Sequence, residues 1–432
     1  DLNSVTINGT LVPSPESERR AVALDVLPSE LVQSLSVIKT LTPDMDANSL
    51  GGTVDVKSLS AFDHKGLFYT GSTEASYDKN THQTSPKFSG AASNRFSLGD
   101  GIDNFGVAAA LSWQKRDFGS DNVETGGAWD FTNGARLNEF EQRDYDISRE
   151  RAGGGLNFDY KPDDLSSYYL RTLYSRYKDT ETRNAASLEF ADPQAPGELG
   201  DAEGKRKLKN REETQEIQSY VVGGERMLGL WTLSGQAGYS RSSEDSPGHI
   251  AGATFDGGDF ADSGFYDKSK PRPIIGSGFY DPANFSLDKV DWEKQHTQDT
   301  EKNLRLDLAR DYDLRGYASQ FKFGGKVSRR HKDNDLEAWV YKDLDEQGLS
   351  DEQLNLTQFQ KGNVDYRLGR FGPGISAGNI RQLIGGLNRD DFYDPTESRV
   401  NDFTIREDIN AGYLMNTCLL YTSDAADEED SV

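Results

Sequence analysis

The chain has 432 residues, with 72 acidic side chains against 48 Lys and Arg and a formal net charge of -24. Phosphate backbones are bound by an excess of Lys and Arg, so this balance argues against a nucleic-acid partner and suits solubility, divalent cations or cationic partners. Only 34% of the residues are hydrophobic and no apolar run is long enough for a membrane-spanning helix, which leaves open a barrel, whose alternating strands give little hydropathy signal.

Asp1 to Leu11 holds a short alternating strand with Val5 and Ile7 on one side, turning at Asn8-Gly9, where both residues tolerate positive φ. A polar loop with Pro13 and Pro15 follows, and Pro28-Ser29-Glu30 reads as the start of a short helix. Val32 to Leu41 reads as a strand that Pro43 terminates, since proline has no amide donor for a ladder. After the polar stretch Thr42 to Leu50, Gly51-Gly52 opens a second strand with Val54 and Val56 on one face. The paired glycines predict positive φ or close backbone approach. From the residues alone, this is a strand-loop-strand of a small mixed domain.

From Gly66 onward the period is two. Tyr69, Gly71, Thr73, Ala75 and Tyr77 share one face, and Lys87 to Leu98 reads as the hairpin partner. Phe105, Val107, Ala109, Leu111 and Trp113 form an apolar face, as do Leu156, Phe158 and Tyr160. Tyr168 to Tyr174, Trp231 to Tyr239, Leu304 to Leu308 and Phe321 to Val327 repeat the alternation. Strands of about ten residues suffice for a tilted bilayer crossing. Joints such as Pro162 to Leu165 and Leu228 to Leu230 read as tight turns, whereas Phe118 to Asp144, Asp179 to Arg211 and Ser242 to Leu304 read as long loops. Short turns alternating with long loops, and aromatics near strand ends, fit an outer-membrane barrel better than a soluble sandwich.

Ser36-Val37-Ile38-Lys39, Leu50-Gly51-Gly52-Thr53-Val54 and Val56-Lys57 resemble the end of the plug domain of TonB-dependent outer-membrane receptors. Thr42 to Ala47, Ser60 to Asp63, Asp144 to Tyr160 and Glu407 to Leu414 are similar to segments of one large branch of that family. Leu50 stands where isoleucine is commoner. The resemblance implies an all-β-dominated chain: part of a small α+β plug over residues 1–60, then an incomplete transmembrane antiparallel barrel over 66–417, about half of 22 strands. It also implies that a coupling segment lies upstream of Asp1. Cys418 to Asp427 does not read like a barrel strand. It is expected to belong to a non-native, adapter-like tail over 418–432, a natural acidic tail being the alternative.

No catalytic constellation, metal-ligand spacing or cofactor motif stands out; Cys418 is the only cysteine, and the five histidines are scattered. The aromatic-rich stretch Phe255 to Trp292 is the candidate binding segment. Phe265, Tyr266, Tyr280 and Trp292, with Trp129 in an earlier loop, are the candidate ligand-stacking residues; packing of the loop on itself is the competing reading. Lys205 to Lys209 is a basic run expected in a solvated loop. Leu50, Gly51, Gly52, Val54 and Val56 carry the plug motif.

The resemblance implies no enzyme but an energy-coupled importer of a bulky scarce solute, an oligosaccharide or a ferric siderophore, in the outer membrane of a Gram-negative bacterium. Its implied partners are the inner-membrane TonB complex, membrane lipid with lipopolysaccharide, and the ligand. A secreted or surface all-β carbohydrate-binding or adhesive protein is the second reading, and a barrel enzyme with loop carboxylates the third.

Overall fold

The computed structural model describes residues 3–20, 22, 29, 32–46 and 49–418. The expected helix start at Pro28 to Glu30 lies outside them save for Ser29, as does the tail beyond Cys418.

A small mixed sheet comes first. It contains β1 (Asn3–Ile7), β2 (Thr10–Leu11), β3 (Val32–Ile38) and β4 (Gly52–Ser58) in the order β2-β1-β4-β3, with β1 and β4 parallel. Asn8 and Gly9 both take positive φ in the β1–β2 turn. Gly52 has φ +121, and a Cβ there would stand 2.8 Å from the Ile38 carbonyl oxygen, so the glycine is required for both reasons anticipated. A single 3-10 turn, Ala61–Asp63, leaves this sheet; the Ser60 hydroxyl caps it and the Asp63 carboxylate accepts from the Ser60 amide.

The rest of the chain builds one antiparallel wall. Its members are β5 (Phe68–Tyr77), β6 (Thr84–Phe96), β7 (Phe105–Glu124), the short β8 (Trp129–Asp130), β9 (Arg136–Asp163), β10 (Ser166–Gln194), β11 (Leu199–Leu228) and β12 (Trp231–Tyr266). The short β13 (Arg272–Ile274), β14 (Ser286–Leu314) and β15 (Tyr317–Lys342) follow. A folded insert over 343–402 then carries α1 (Asp351–Leu354), the hairpin β16 (Gln360–Asn363) and β17 (Pro373–Ile375), α2 (Ala377–Gly385) and α3 (Pro395–Val400). β18 (Phe403–Cys418) closes the sequence of strands and takes in Cys418, which pairs with Ser319. Ten strands pair in chain order from β5 to β18, with β8 and β13 to the side; the sheet is an open, partial barrel.

The segments read as long loops are largely strand. β9 to β12 run 28, 29, 30 and 36 residues, roughly 100 Å each, where about ten residues cross a bilayer. The turn between β10 and β11 is only 195–198. The extensions carry no sustained apolar alternation, because neither of their faces is uniformly apolar. The run Lys205 to Lys209 lies within β11, so a solvated loop is not its setting.

Strict alternation defines two faces. The inner face holds the small sheet. The outer face shows an apolar band: Leu111, Leu156, Leu170, Val222, Leu233, Leu304, Leu306, Phe321 and Leu414 are all exposed there. Stacked aromatic pairs lie in this band, Phe88 on Trp113 and Phe105 on Phe158, and the Trp113 indole donates to Glu150 at 3.0 Å at its upper rim. An amphipathic ring with one wet edge suits that boundary.

Farther along the same face, beyond a charged stretch, the extended strands carry a second set of apolar side chains. The insert covers them. Leu354, Leu356, Phe359, Phe371, Ile375, Ile380, Ile384 and Phe392 pack onto Phe140, Leu188, Leu208, Phe255, Trp339 and Tyr341 as the main hydrophobic core.

Candidate functional site: the seat of the small sheet on the inner face

Cross-strand pairing lines up a belt of charged and amide side chains along the inner face. Arg116 pairs across to Arg149, Arg149 to Asp179 and Asp179 to Glu213. Gln215 stands opposite Glu244, Asp299 opposite Lys332, and Glu301 opposite Arg330. Arg330 donates to both oxygens of the fully buried Asp299, the closest contact being 2.6 Å, and Arg149 donates to Asp179 at 2.8 Å. Such buried charges are tolerable only because they are paired and hydrogen-bonded.

The small sheet seats directly below and against this belt. Ser240 and Ser242 donate to the carbonyls of Leu11 and Pro13 at 2.5 and 2.6 Å, and Gln236 donates to Thr10 at 3.0 Å. Asn157 donates to Ser58 and to the Leu59 carbonyl, and Ser60 donates to Asp159 at 2.8 Å. Lys332 donates to the carbonyls of Glu16 and Arg19. On the opposite flank, Asp44 meets Lys322 at 2.6 Å, Asp46 meets Lys326 at 2.7 Å and Arg20 meets Glu407 at 3.0 Å. Burial alone would raise the Asp44 carboxyl; hydrogen bonds from Lys322 and Thr42 and the charges of Lys322 and Arg305 outweigh it and hold it below the usual range.

One feature of the belt titrates near neutrality. The Gln215 amide donates to Glu213 at 2.8 Å and to Glu244 at 2.9 Å, tying two buried carboxyls together. Burial first, then the Glu213 charge, pushes Glu244 up to about 7; Arg211 and Gln215 oppose the rise, and Glu16 of the small sheet's loop adds to it. The apolar band on β12 ends near Tyr239, so Glu244 stands beyond it. A carboxyl raised above its unfolded value favours the fold while protonated and loses that advantage as pH rises through its folded value. Amide exchange over 12–20, corrected for intrinsic rates, is therefore expected to accelerate between pH 6 and pH 8. Glu244→Gln is expected to flatten that dependence.

The aromatic candidates sit elsewhere. Phe265 is 0% exposed and packs against Trp129, Phe140 and Phe190 within the outer-face core. Tyr280 stacks edge-on with Phe279 and lies under Arg370 at 4.0 Å, and Trp292 lies under Arg381 at 5.8 Å. Tyr266 is exposed at the end of β12. Trp129 and Phe265 are brought together, and Tyr280 and Trp292 pack against the same core cluster. In the plug motif, Val56 is buried and Gly52 makes the close approach, while Leu50 is exposed. Among the described residues, no group of three or more His, Cys, Asp or Glu is placed to hold a metal ion.

Sequence reasoning missed the belt, and one residue of the outer core. Arg206 is 1% exposed, donates to the carbonyls of Phe371 at 2.5 Å and Phe279 at 2.7 Å, and lies over the rings of Phe279, Phe285 and Phe371. Its neighbours Lys205 and Lys207 point to the inner face and pair with Glu203 and Glu141.

An open antiparallel wall with an apolar outer band and a small mixed sheet seated on its polar inner face is an open, partial antiparallel β-barrel with a small mixed domain on its inner side. No family model matches the sequence, and no curated protein matches it. Among solved structures, the chain is similar to the siderophore receptor PiuA from Acinetobacter baumannii, at 11% identity and TM-score 0.30 over 78% of this chain and 53% of that one. It is similar to the ferric enterobactin receptor PfeA from Pseudomonas aeruginosa, at 9% identity and TM-score 0.30 over 78% and 69%. It is similar to the FrpB iron transporter from Neisseria meningitidis, at 9% identity and TM-score 0.23 over 87% and 82%. The match thus spans about half the length of PiuA.

Proposed function

We propose that this chain is the plug end and first barrel half of a TonB-dependent outer-membrane receptor. It takes part in energy-coupled import of a bulky, scarce, polar solute. The observation that carries the reading is the seat: a small sheet bound by hydrogen bonds and ion pairs to the polar face of a wall whose other face is an apolar band. In that arrangement lipid covers the band, the wall surrounds a wet passage and the small sheet stops it. The inner-face belt, rather than the outer aromatics, is where an incoming solute would meet the plug. Its mixed charges suit a hydrogen-bonding solute. The aromatics that suggested an oligosaccharide are used mainly in packing, and a ferric siderophore is the other solute class considered. Import would draw on the inner-membrane TonB complex. Lipid and lipopolysaccharide would surround the wall of a Gram-negative outer membrane.

Density-gradient fractionation of cells exporting the chain tests this reading. Recovery with outer membranes, with the 343–402 insert open to protease added outside, is expected. Recovery from the soluble periplasm or the medium would favour the secreted adhesive protein instead.

A further inference from the structure

The plug is not held alike on its two sides. Against β6 to β12 it is packed. Val5, Ile7, Val12 and Val56 form one buried cluster with Ala110, Leu173, Tyr177 and Ile217 of the wall. Leu59 and Ala61 form another with Ala108. Two wall glycines permit this closeness: a Cβ at Gly106 would stand 2.8 Å from the Ala61 Cβ, and one at Gly238 would collide with Thr10. The hydrogen bonds on this side join neutral plug groups (Thr10, the carbonyls of Leu11, Pro13 and Leu59, Ser58 and Ser60) to the wall.

Against β14, β15 and β18 the contacts are made by charged side chains: Asp44 with Lys322 and Arg305, Asp46 with Lys326, and Arg20 with Glu407, while Lys332 donates to the carbonyls of Glu16 and Arg19. The ion-paired side chains are partly exposed rather than sealed. A hollow of about 320 Å³, lined by Pro43, Asp44, Met45, Asp46, Lys326 and Tyr413 among others, lies beside them. Apolar contact and neutral hydrogen bonds in a close-packed seam scarcely respond to salt, whereas partly exposed ion pairs are screened by it. Space beside the pairs lets them part without a clash.

We infer that the plug is anchored along β6 to β12 and gives way along β14, β15 and β18, where the segment 42–46 acts as an ionic latch. The inference rests on the importer reading for its purpose, since a stopper must yield somewhere for a solute to pass. Its geometry stands on the contacts alone. Salt, a pull on the plug, or a charged solute competing for Lys322 and Lys326 would open the same seam first.

Hydrogen exchange of the whole chain in lipid bilayers, read by mass spectrometry across 0.05 to 1 M NaCl, tests it; the Debye length falls from roughly 14 to 3 Å over that range. Exchange over 39–46 is expected to quicken about tenfold, while 3–12 and 52–60 stay protected. The Lys322→Gln, Lys326→Gln double variant is expected to show that fast exchange already at low salt, with 3–12 still protected, which also reports that it has folded. Loss of protection at 3–12 before or together with 39–46 would overturn the inference. So would salt-independent exchange at 39–46 in both proteins. Should the double variant fail to fold, the salt series on the unaltered chain decides alone. Fractionation away from membranes would sink the importer reading and leave this result interpretable.

Discussion

Leu306→Arg is expected to prevent stable insertion of this protein into bilayers, while Leu306→Phe is tolerated. Leu306 is 55% exposed on the outer face, opposite Gly235 on β12 and Gly325 on β15, midway along the apolar band. In water that exposure would make an arginine harmless. In lipid, a cation at the midplane of a strand costs about 2–4 kcal/mol, enough to shift the folding equilibrium by about 30-fold to 1,000-fold. Urea titration of refolding into phospholipid vesicles would measure it, with the phenylalanine variant controlling for size. Equal stability of the arginine variant and the parent would mean that this face meets water.

Arg206→Ala is expected to detach the insert from the wall. The guanidinium satisfies the buried carbonyls of Phe279 and Phe371, in two segments 92 residues apart in sequence, and fills the space between their rings. A Cβ at Gly372 would stand 3.0 Å from one of its nitrogens, so the backbone of the insert is moulded to it. Truncation leaves two carbonyls without donors, at about 1–3 kcal/mol each, and a cavity between aromatic rings. Removing the cost of burying an unpaired charge offsets part of this. A net loss of about 2–4 kcal/mol is expected, confined to the outer core. It would appear as faster proteolysis within 364–375, with the strands of the apolar band unaffected. Arg206→Lys is expected to recover little, because one ammonium cannot serve two carbonyls while stacking on the rings.

The strands of the small sheet and the alternating strands of the wall were legible because both patterns come from short-range physics. Asn8-Gly9 marks its turn by allowed φ, and Gly52 marks a close approach. Trp231, Leu233, Gly235, Ala237 and Tyr239 mark a face by alternation. The long strand extensions were not legible: Lys205 to Lys209 looks like solvated loop until the register shows alternate residues on opposite faces, with the insert covering one of them. The seat was hidden for a related reason. In a chain with 72 acids and 48 Lys and Arg, nothing local distinguishes Asp44, Glu213, Glu244 or Lys332. Their meeting depends on strand pairing and on contacts such as Lys332 to Glu16, which span 316 residues. The outer aromatics drew notice by composition, and composition cannot tell a ring that binds ligand from one that packs.

On the proposed function, one face of the wall meets lipid while the other holds a plug. Nitroxide labels placed singly at positions 303 to 308 of β14, in a Cys418→Ser background reconstituted in bilayers, test it most directly. Collision with oxygen, which partitions into lipid, should dominate at 304, 306 and 308. It should fall at 303, 305 and 307, where Asn303, Arg305 and Asp307 face inward. Loss of that two-residue alternation, or water-borne quencher reaching 304, 306 and 308, would contradict the account.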